Sequence, residues 1–490
     1  MLQRFFEAIG ASLGLPTDYA KIAIALLLSF VLSPILPHLP APWMRHCMNL
    51  GVSAFFLLGI LRLYGGVMHL LAACFLTYGI VRFRIGGRKY MPWIVLVGAM
   101  SHMLYTHCMR EFGQVPVTTM EISSMQMVLV MNLTSFAWNC YDGQLRTDKQ
   151  LDEVQMRDRV MTMPSLLEFL GYCFYFPGVL VGPSSRFRDY QQWANGTLYA
   201  PYRGVPVSRW REAFKELLTA GIALVLMTSL SAYYDFERLA NVADELQTRP
   251  FWYRLVFLQI AGLVARFRFY GVWSLSNAGC ILSGLAYNGV DSTTQRATWT
   301  RCKNVYVRRI ELSHNWKELL DAWNANTNVW LRESVYKRLA GPHKPGFGSV
   351  FGTFLTSAIW HGIAPGYYLA FLLAAMCQWL ARLLRKSVRP IFFANPRMPD
   401  PTPSTWKQYT TVQVLYSVVS MVCTISSVNY VVIPFFTLTL RGSLQGYRAM
   451  LWHYHVIVAL GLLAFQAGLG RALRPWHKAP RAPKAAAPAS

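Results

Sequence analysis

Apolar runs close to the ~20 residues that cross a bilayer as a helix recur along the whole chain, joined by short polar links. The first covers residues 22–36 and closes on the proline-rich PHLPAP. Residues 50–63 and 67–81 follow, both short enough to tilt or to lie partly in the interface. Further runs cover 92–108, 120–138, 163–190, 217–230, 251–264, 272–285, 349–376, 412–432 and 456–469. Their pattern predicts an all-α, polytopic membrane protein with about eleven spanning or half-spanning helices.

Local signals refine the outline. Run 120–138 is rich in Met, Ser and Thr, which predicts close helix packing rather than lipid contact. Its end at WNCYDG predicts a turn at Asp142-Gly143. Pro177-Gly178 and Gly182-Pro183 break the run in 163–190, and Glu168 near its start is placed at the headgroups. Arg266-Phe267-Arg268 predicts a tight basic turn or a kink between two helices. Residues 1–21 read as a weakly amphipathic interfacial helix ahead of a retained span, not a removed signal. A single membrane-embedded domain is expected over 1–470, with 471–490 a disordered basic Ala/Pro-rich tail.

Composition supports the membrane assignment. Of 490 residues, 54% are hydrophobic and 14% charged, against about 25% charged in soluble domains. The net charge of +24 would suggest nucleic acid in a soluble protein. Here the cations sit in short loops such as RFRIGGRK, as cytosolic loops beside anionic headgroups require, and no nucleic-acid motif accompanies them. Nine cysteines form no CxxC pair, and eleven histidines show no HExxH spacing, so no metal site is expected. Cys173, Cys280 and Cys377 read as small buried hydrophobes.

Candidate chemistry concentrates in 349–376, a run without Asp, Glu, Lys or Arg that carries one histidine, His361. The run Gly362-Ile363-Ala364-Pro365-Gly366 directly after it predicts a helix break, and an ionisable group at such a break is a functional-site candidate. Its competing reading is a satisfied core histidine. Upstream lies WNANTNVWLRESVYKRL, residues 323–339. As a helix this would set Asn324, Asn328, Leu331 and Val335 on one face and turn Asn326 elsewhere. A histidine in a dry site can act as general base on a hydroxyl, and an asparagine amide can hold an oxyanion. No GxSxG elbow is present, so the pair suits direct acyl transfer rather than a covalent acyl-enzyme. Trp323, Trp330 and Trp360 suit core packing, and the cations of 301–309 suit either positive-inside topology or a phosphate.

WNANTNVWLRESVYKRL followed by SAIWHGIAPGYYLAFL closely resembles the signature of the membrane-bound O-acyltransferase family. The resemblance extends to SFAWNCYDG, MPSLLEFLGYCFYFPGVLVGP and WSLSNAGCILSGLAYNG, from about Trp93 to the last span, and is nearest the fungal broad-specificity lysophospholipid branch. It implies helices around a central tunnel, with Asn324 and His361 as the catalytic dyad. It implies acyl-CoA as co-substrate without a cofactor or metal, and a lysophospholipid whose sn-2 hydroxyl is acylated. Trp323, Asn328 and Trp360 are then expected at the substrate, and Arg301, Lys303 and Arg308 at the coenzyme A phosphates. Membrane lipids but no nucleic acid are the expected surroundings, in the endoplasmic reticulum membrane, for a monomer or homodimer. One position departs from the branch, Asn277, where a glutamate is usual, which leaves headgroup preference open. Rival readings are a family member that acylates a sterol, diacylglycerol or protein, and a transporter with His361 relaying protons.

Overall fold

Helices make up nearly all the regular structure in the computed structural model, which describes residues 2–477 except 15, 117–118, 201, 203, 342–346 and 396–397. Among the described residues, six helices are long and apolar enough to cross a membrane: Thr17–His38, Tyr64–Arg82, Arg209–Leu230, Phe251–Leu282, Pro365–Phe392 and Thr411–Thr437. A bent pair, Leu440–Ala449 with His453–Gln466, makes a seventh if counted as one span. Other expected spans are helices that carry more polar residues or run shorter, notably Gly87–Phe112, Ser123–Leu145 and Phe347–His361. The chain falls into two compact units.

The first unit comprises residues 1–230, 266–306 and 323–363. Gly87–Phe112 and Ser123–Leu145 pack along one another, and Tyr64–Arg82 leans on both. The expected turn at Asp142-Gly143 is not made, because the Ser123–Leu145 helix runs straight through it. Gly143 serves close approach instead: a Cβ there would stand 2.4 Å from the Val160 carbonyl oxygen.

After Leu166–Cys173 the helix breaks as its prolines and glycines predict, and the backbone carbonyls so freed need donors. The WSLSNAGC stretch supplies them. Ser276 Oγ donates to the Pro177 carbonyl at 2.5 Å and also reaches that of Gly182. Trp273 Nε1 donates to the Val181 carbonyl at 3.2 Å. Two motifs a hundred residues apart are thus one scaffold. Asn277, directly after Ser276, is buried with neither polar side-chain atom hydrogen-bonded.

The tight basic turn, one of the two alternatives expected at Arg266-Phe267-Arg268, is not made, since Phe251–Leu282 is one helix of 32 residues. Charge alone does not break a helix; Arg is among the better helix formers and Phe is a tolerable one.

The second unit comprises residues 231–265, 307–322 and 364–490. Its core gathers Leu373, Cys377 and Leu380 of Pro365–Phe392 with Tyr430, Ile433, Tyr447 and Val458. Trp316 Nε1 donates to Ser427 Oγ at 3.0 Å, tying the short Trp316–Ala322 helix to Thr411–Val431. Asp400 pairs with both Arg385 and Arg389. Of the expected disordered tail, Arg474–Trp476 form a 3-10 turn and residues 478–490 lie outside the described residues.

Candidate active site

Asn324 is not inside a helix, contrary to the one-face reading of 323–339. It caps one, Ala325–Trp330, with φ 44° in the left-handed region. Asparagine is among the few residues with a side chain that adopt this conformation readily. Beyond Trp330 the chain widens into a π turn, Leu331–Tyr336, before Lys337–Ala340. The regular 3.6-residue spacing behind the expected face therefore does not hold along the segment.

The orientation of the Asn324 amide follows from its neighbours. The backbone N–H of Asn326 can only donate, and it reaches Asn304 Oδ1 at 3.1 Å. Asn304 must then present its NH2, and Nδ2 donates to Asn324 Oδ1 at 2.9 Å. The Thr327 hydroxyl stands 2.8 Å from the same oxygen. With Oδ1 engaged, the Nδ2 donors of Asn324 are the side left for another molecule. Asn304 is itself buried, and its carbonyl also accepts the Ala325 N–H at 2.9 Å.

His361 is the last residue of Phe347–His361, followed by the break that Gly362 makes with φ 134°. Its ring lies edge-on to Trp360, centroids 4.7 Å apart, and Trp360 in turn faces Trp330 at 6.1 Å.

A single helix fastens both elements. Trp360 Nε1 donates to the Met127 carbonyl at 3.0 Å, and Trp330 Nε1 donates to Thr134 Oγ1 at 2.8 Å. Between them the Thr327 hydroxyl meets the Met131 sulfur at 3.3 Å. Farther along, Arg338 stacks on Trp138 at 4.3 Å and grips Asp142 through both guanidinium nitrogens at 2.8 and 2.5 Å. Met127, Met131, Thr134, Trp138 and Asp142 follow the three-and-four spacing of one helix face. The Met- and Thr-rich run is therefore the strut on which the Asn324 and His361 segments both hang.

Other expected site residues fare differently. Trp360 and Asn328 stay in this neighbourhood, the Asn328 N–H closing on the Asn324 carbonyl at 3.1 Å. Trp323 packs against Phe269 and Trp273, each at 5.3 Å, which makes it part of an aromatic core. Arg301 and Lys303 need correcting. Arg301 is bound to Asp189 and donates to the Tyr287 carbonyl at 2.6 Å, while Lys303 meets Glu216 at 2.5 Å. Both charges are spent inside the fold, not held out for a phosphate. Arg308 is exposed on the short Val307–Glu311 helix of the second unit. Asn304, Thr327 and His107 belong to the neighbourhood but carry no mark in the sequence. Asn304 sits in a stretch, RCKNVYVRR, that reads first by its cations.

Residues 87–430 match the family profile of the membrane-bound O-acyltransferases. The chain is 35% identical over 467 residues to a lysophospholipid acyltransferase of Schizosaccharomyces pombe, covering 94% of this chain and 88% of that protein. It is 34% identical over 473 residues to a lysophospholipid acyltransferase of Saccharomyces cerevisiae, covering 92% and 75%. To the human membrane-bound glycerophospholipid O-acyltransferase 2 it is 28% identical over 462 residues, covering 89% and 84%.

Proposed function

Since this chain belongs to the membrane-bound O-acyltransferase family, we propose that it moves a fatty acyl group from acyl-CoA to the free sn-2 hydroxyl of a lysophospholipid. Its similarity to fungal lysophospholipid acyltransferases supports that acceptor class. The observation that carries the mechanism is the fastening of the His361 and Asn324 segments to one face of Ser123–Leu145.

In this reading His361 takes the proton from the acceptor hydroxyl, and the oxygen attacks the thioester carbonyl. The developing oxyanion meets the Nδ2 donors of Asn324. When the C–S bond breaks, coenzyme A leaves as a thiolate and recovers the proton from His361. Two amphiphiles meet within the apolar interior of a multi-pass membrane protein, where orientation and exclusion of water favour transfer over hydrolysis. No cofactor enters the step. We place the enzyme in the endoplasmic reticulum membrane, acting in phospholipid remodelling as a monomer or homodimer.

Purified protein given labelled acyl-CoA and a panel of lysophospholipids, sterol, diacylglycerol and peptide tests this. Transfer to lysophospholipid, abolished by His361→Ala in protein that still melts as wild type, is the expected result. Transfer only to one of the other acceptors, or full activity of the His361→Ala protein, would overturn it.

A further inference from the structure

One end of the first unit carries the cationic RFRIGGRK, residues 82–89, which joins Tyr64–Arg82 to Gly87–Phe112. The other end is marked where Arg110 meets Glu121 at 3.0 Å and the Met120 N–H meets Asp18 Oδ2 at 2.9 Å. Thr17–His38 starts there, so His38 lies at the RFRIGGRK end, which the positive-inside rule places in the cytosol. Two arginines converge on His38 and Leu39. Arg45, on Pro42–Ala54, donates from Nη2 to the Leu39 carbonyl at 2.9 Å, and from Nη1 to the carbonyls of Trp193, at 3.2 Å, and Ala194. Arg209, the first residue of Arg209–Leu230, is buried at 6% exposure. The one hydrogen-bond partner of its guanidinium among the described residues is His38 Nε2, 3.4 Å from Nη2. Arg45 Nε and Arg209 Nη1 are buried with no partner. Among the described residues neither arginine forms an ion pair, for Glu212 and Glu216, the acids of the next two turns, pair with Lys215 and Lys303.

A buried guanidinium without a counter-charge is costly, and orphan donors beside it mark where an anion fits. Trp43 and Trp210, close to the two arginines in sequence, are exposed, as side chains at the headgroup level of a bilayer are. His38 is exposed as well, so the pair opens toward that level. We propose that Arg45 and Arg209 hold the phosphate of an anionic phospholipid from the cytosolic leaflet. Phosphate oxygens accept the orphan N–H groups, and the negative headgroup answers two cations that the protein leaves unanswered. The lipid then ties together the ends of Thr17–His38, Pro42–Ala54 and Arg209–Leu230.

The purified full-length protein is melted in detergent without added lipid, with phosphatidylcholine, and with phosphatidic acid. Wild type is expected to melt higher with phosphatidic acid than with the same concentration of phosphatidylcholine. Arg209→Met keeps the apolar stem and removes the charge. Without lipid it is expected to melt no lower than wild type, because an uncompensated buried charge is gone. Its affinity for phosphatidic acid, read from the concentration that half-saturates the rise, is expected to fall roughly 10- to 100-fold. Coenzyme A binding, followed in the same way, is expected to stay within about twofold, which separates a headgroup phosphate from that of a co-substrate. Should Arg209→Met fail to accumulate, Arg209→Lys decides, since it keeps the charge without the fork and is expected to bind phosphatidic acid less tightly than wild type. Equal responses of wild type to the two lipids would overturn the proposal, as would a wild-type response to phosphatidic acid in the deciding variant. A loss of coenzyme A affinity parallel to that for phosphatidic acid would overturn it too.

Discussion

Two regions of the molecule gather histidines among aromatic rings, and they differ in where the partners come from. In the second unit, His455 Nδ1 meets the Tyr430 hydroxyl at 2.8 Å, with the Tyr447 and Trp452 rings 4.5 and 5.0 Å away. His453 Nδ1 meets the Met450 carbonyl at 2.7 Å, three residues back. These are short-range contacts that seat polar rings in a core. In the first unit, the Gly87–Phe112 helix that carries the buried His107 packs on Phe347–His361, some 250 residues away in sequence. An orphaned nitrogen does not separate the two, for Nε2 of His453 is as unpartnered as that of His107. Nor does a helix break, for His453 begins its helix directly after the bend at Leu451 and Trp452, both in the left-handed region. The side of the break does: His361 ends its helix at a glycine that turns the chain away, whereas His453 and His455 lie in the first turn after one.

The largest effect that this contrast predicts is on turnover. His361→Ala should lower kcat by ~10²- to 10⁴-fold, the usual worth of a general base, while His455→Phe stays within about twofold of wild type. A steady-state assay of both settles it; equal losses would erase the distinction. Next comes Asn324, where two substitutions divide the roles. Asn324→Asp keeps the oxygen that Asn304 and Thr327 hold and tolerates the left-handed backbone, but it has no amide donor. If the donor matters, kcat falls ~10²- to 10³-fold in Asp as in Ala. If the shape of the cap matters, Asp should be near wild type and Ala impaired.

Asp142 sharpens the comparison on the stability axis. It is buried between Arg338 and Arg146, so Asp142→Asn leaves a buried guanidinium without its counter-charge. Roughly 3–5 kcal/mol of stability should go, read as a lower melting temperature in detergent, with activity falling only as folded protein is lost. The smallest effect is expected for Asn326→Ala. Its side chain makes only a 3.4 Å contact to the Cys302 carbonyl, while its backbone N–H, which alanine keeps, does the orienting. Activity within about twofold and stability within ~0.5 kcal/mol should follow. A loss as deep as that of Asn324→Ala would mean that the segment acts as a block.

Much of this was legible before any coordinates. His361 announces itself because a lone histidine in a long uncharged run is costly without a purpose, and the glycines after it forecast the break. Pro177 and Gly182 forecast theirs. What composition could not convey was which side chains answer those breaks. Ser276 and Trp273 look like ordinary members of an apolar helix until the carbonyls of Pro177 and Val181 are found opposite them. Asp142-Gly143 misleads because its local chemistry is that of a turn, while its glycine is needed for contact with Val160. Arg301 and Lys303 mislead in the opposite direction: their acidic partners, Asp189 and Glu216, lie about a hundred residues upstream. The conformation of Asn324 is not legible at all, since no periodicity reveals a left-handed cap.

The stripe from Met127 to Asp142 has a consequence for how this chain can change in length. Its five anchors work because they share a phase around one cylinder, and each residue turns that cylinder by about 100°. Inserting one residue after Phe136 would leave Met127, Met131 and Thr134 facing Trp360, Thr327 and Trp330, but would swing Trp138 and Asp142 away from Arg338. Seven inserted residues would bring the phase back to within about 20°, yet move the Arg338 anchor about 10 Å along the axis. Neither repair is complete. Between Met127 and Asp142 this helix therefore behaves as a ruler of fixed length, and insertions there should be far less tolerable than in the loop that follows it.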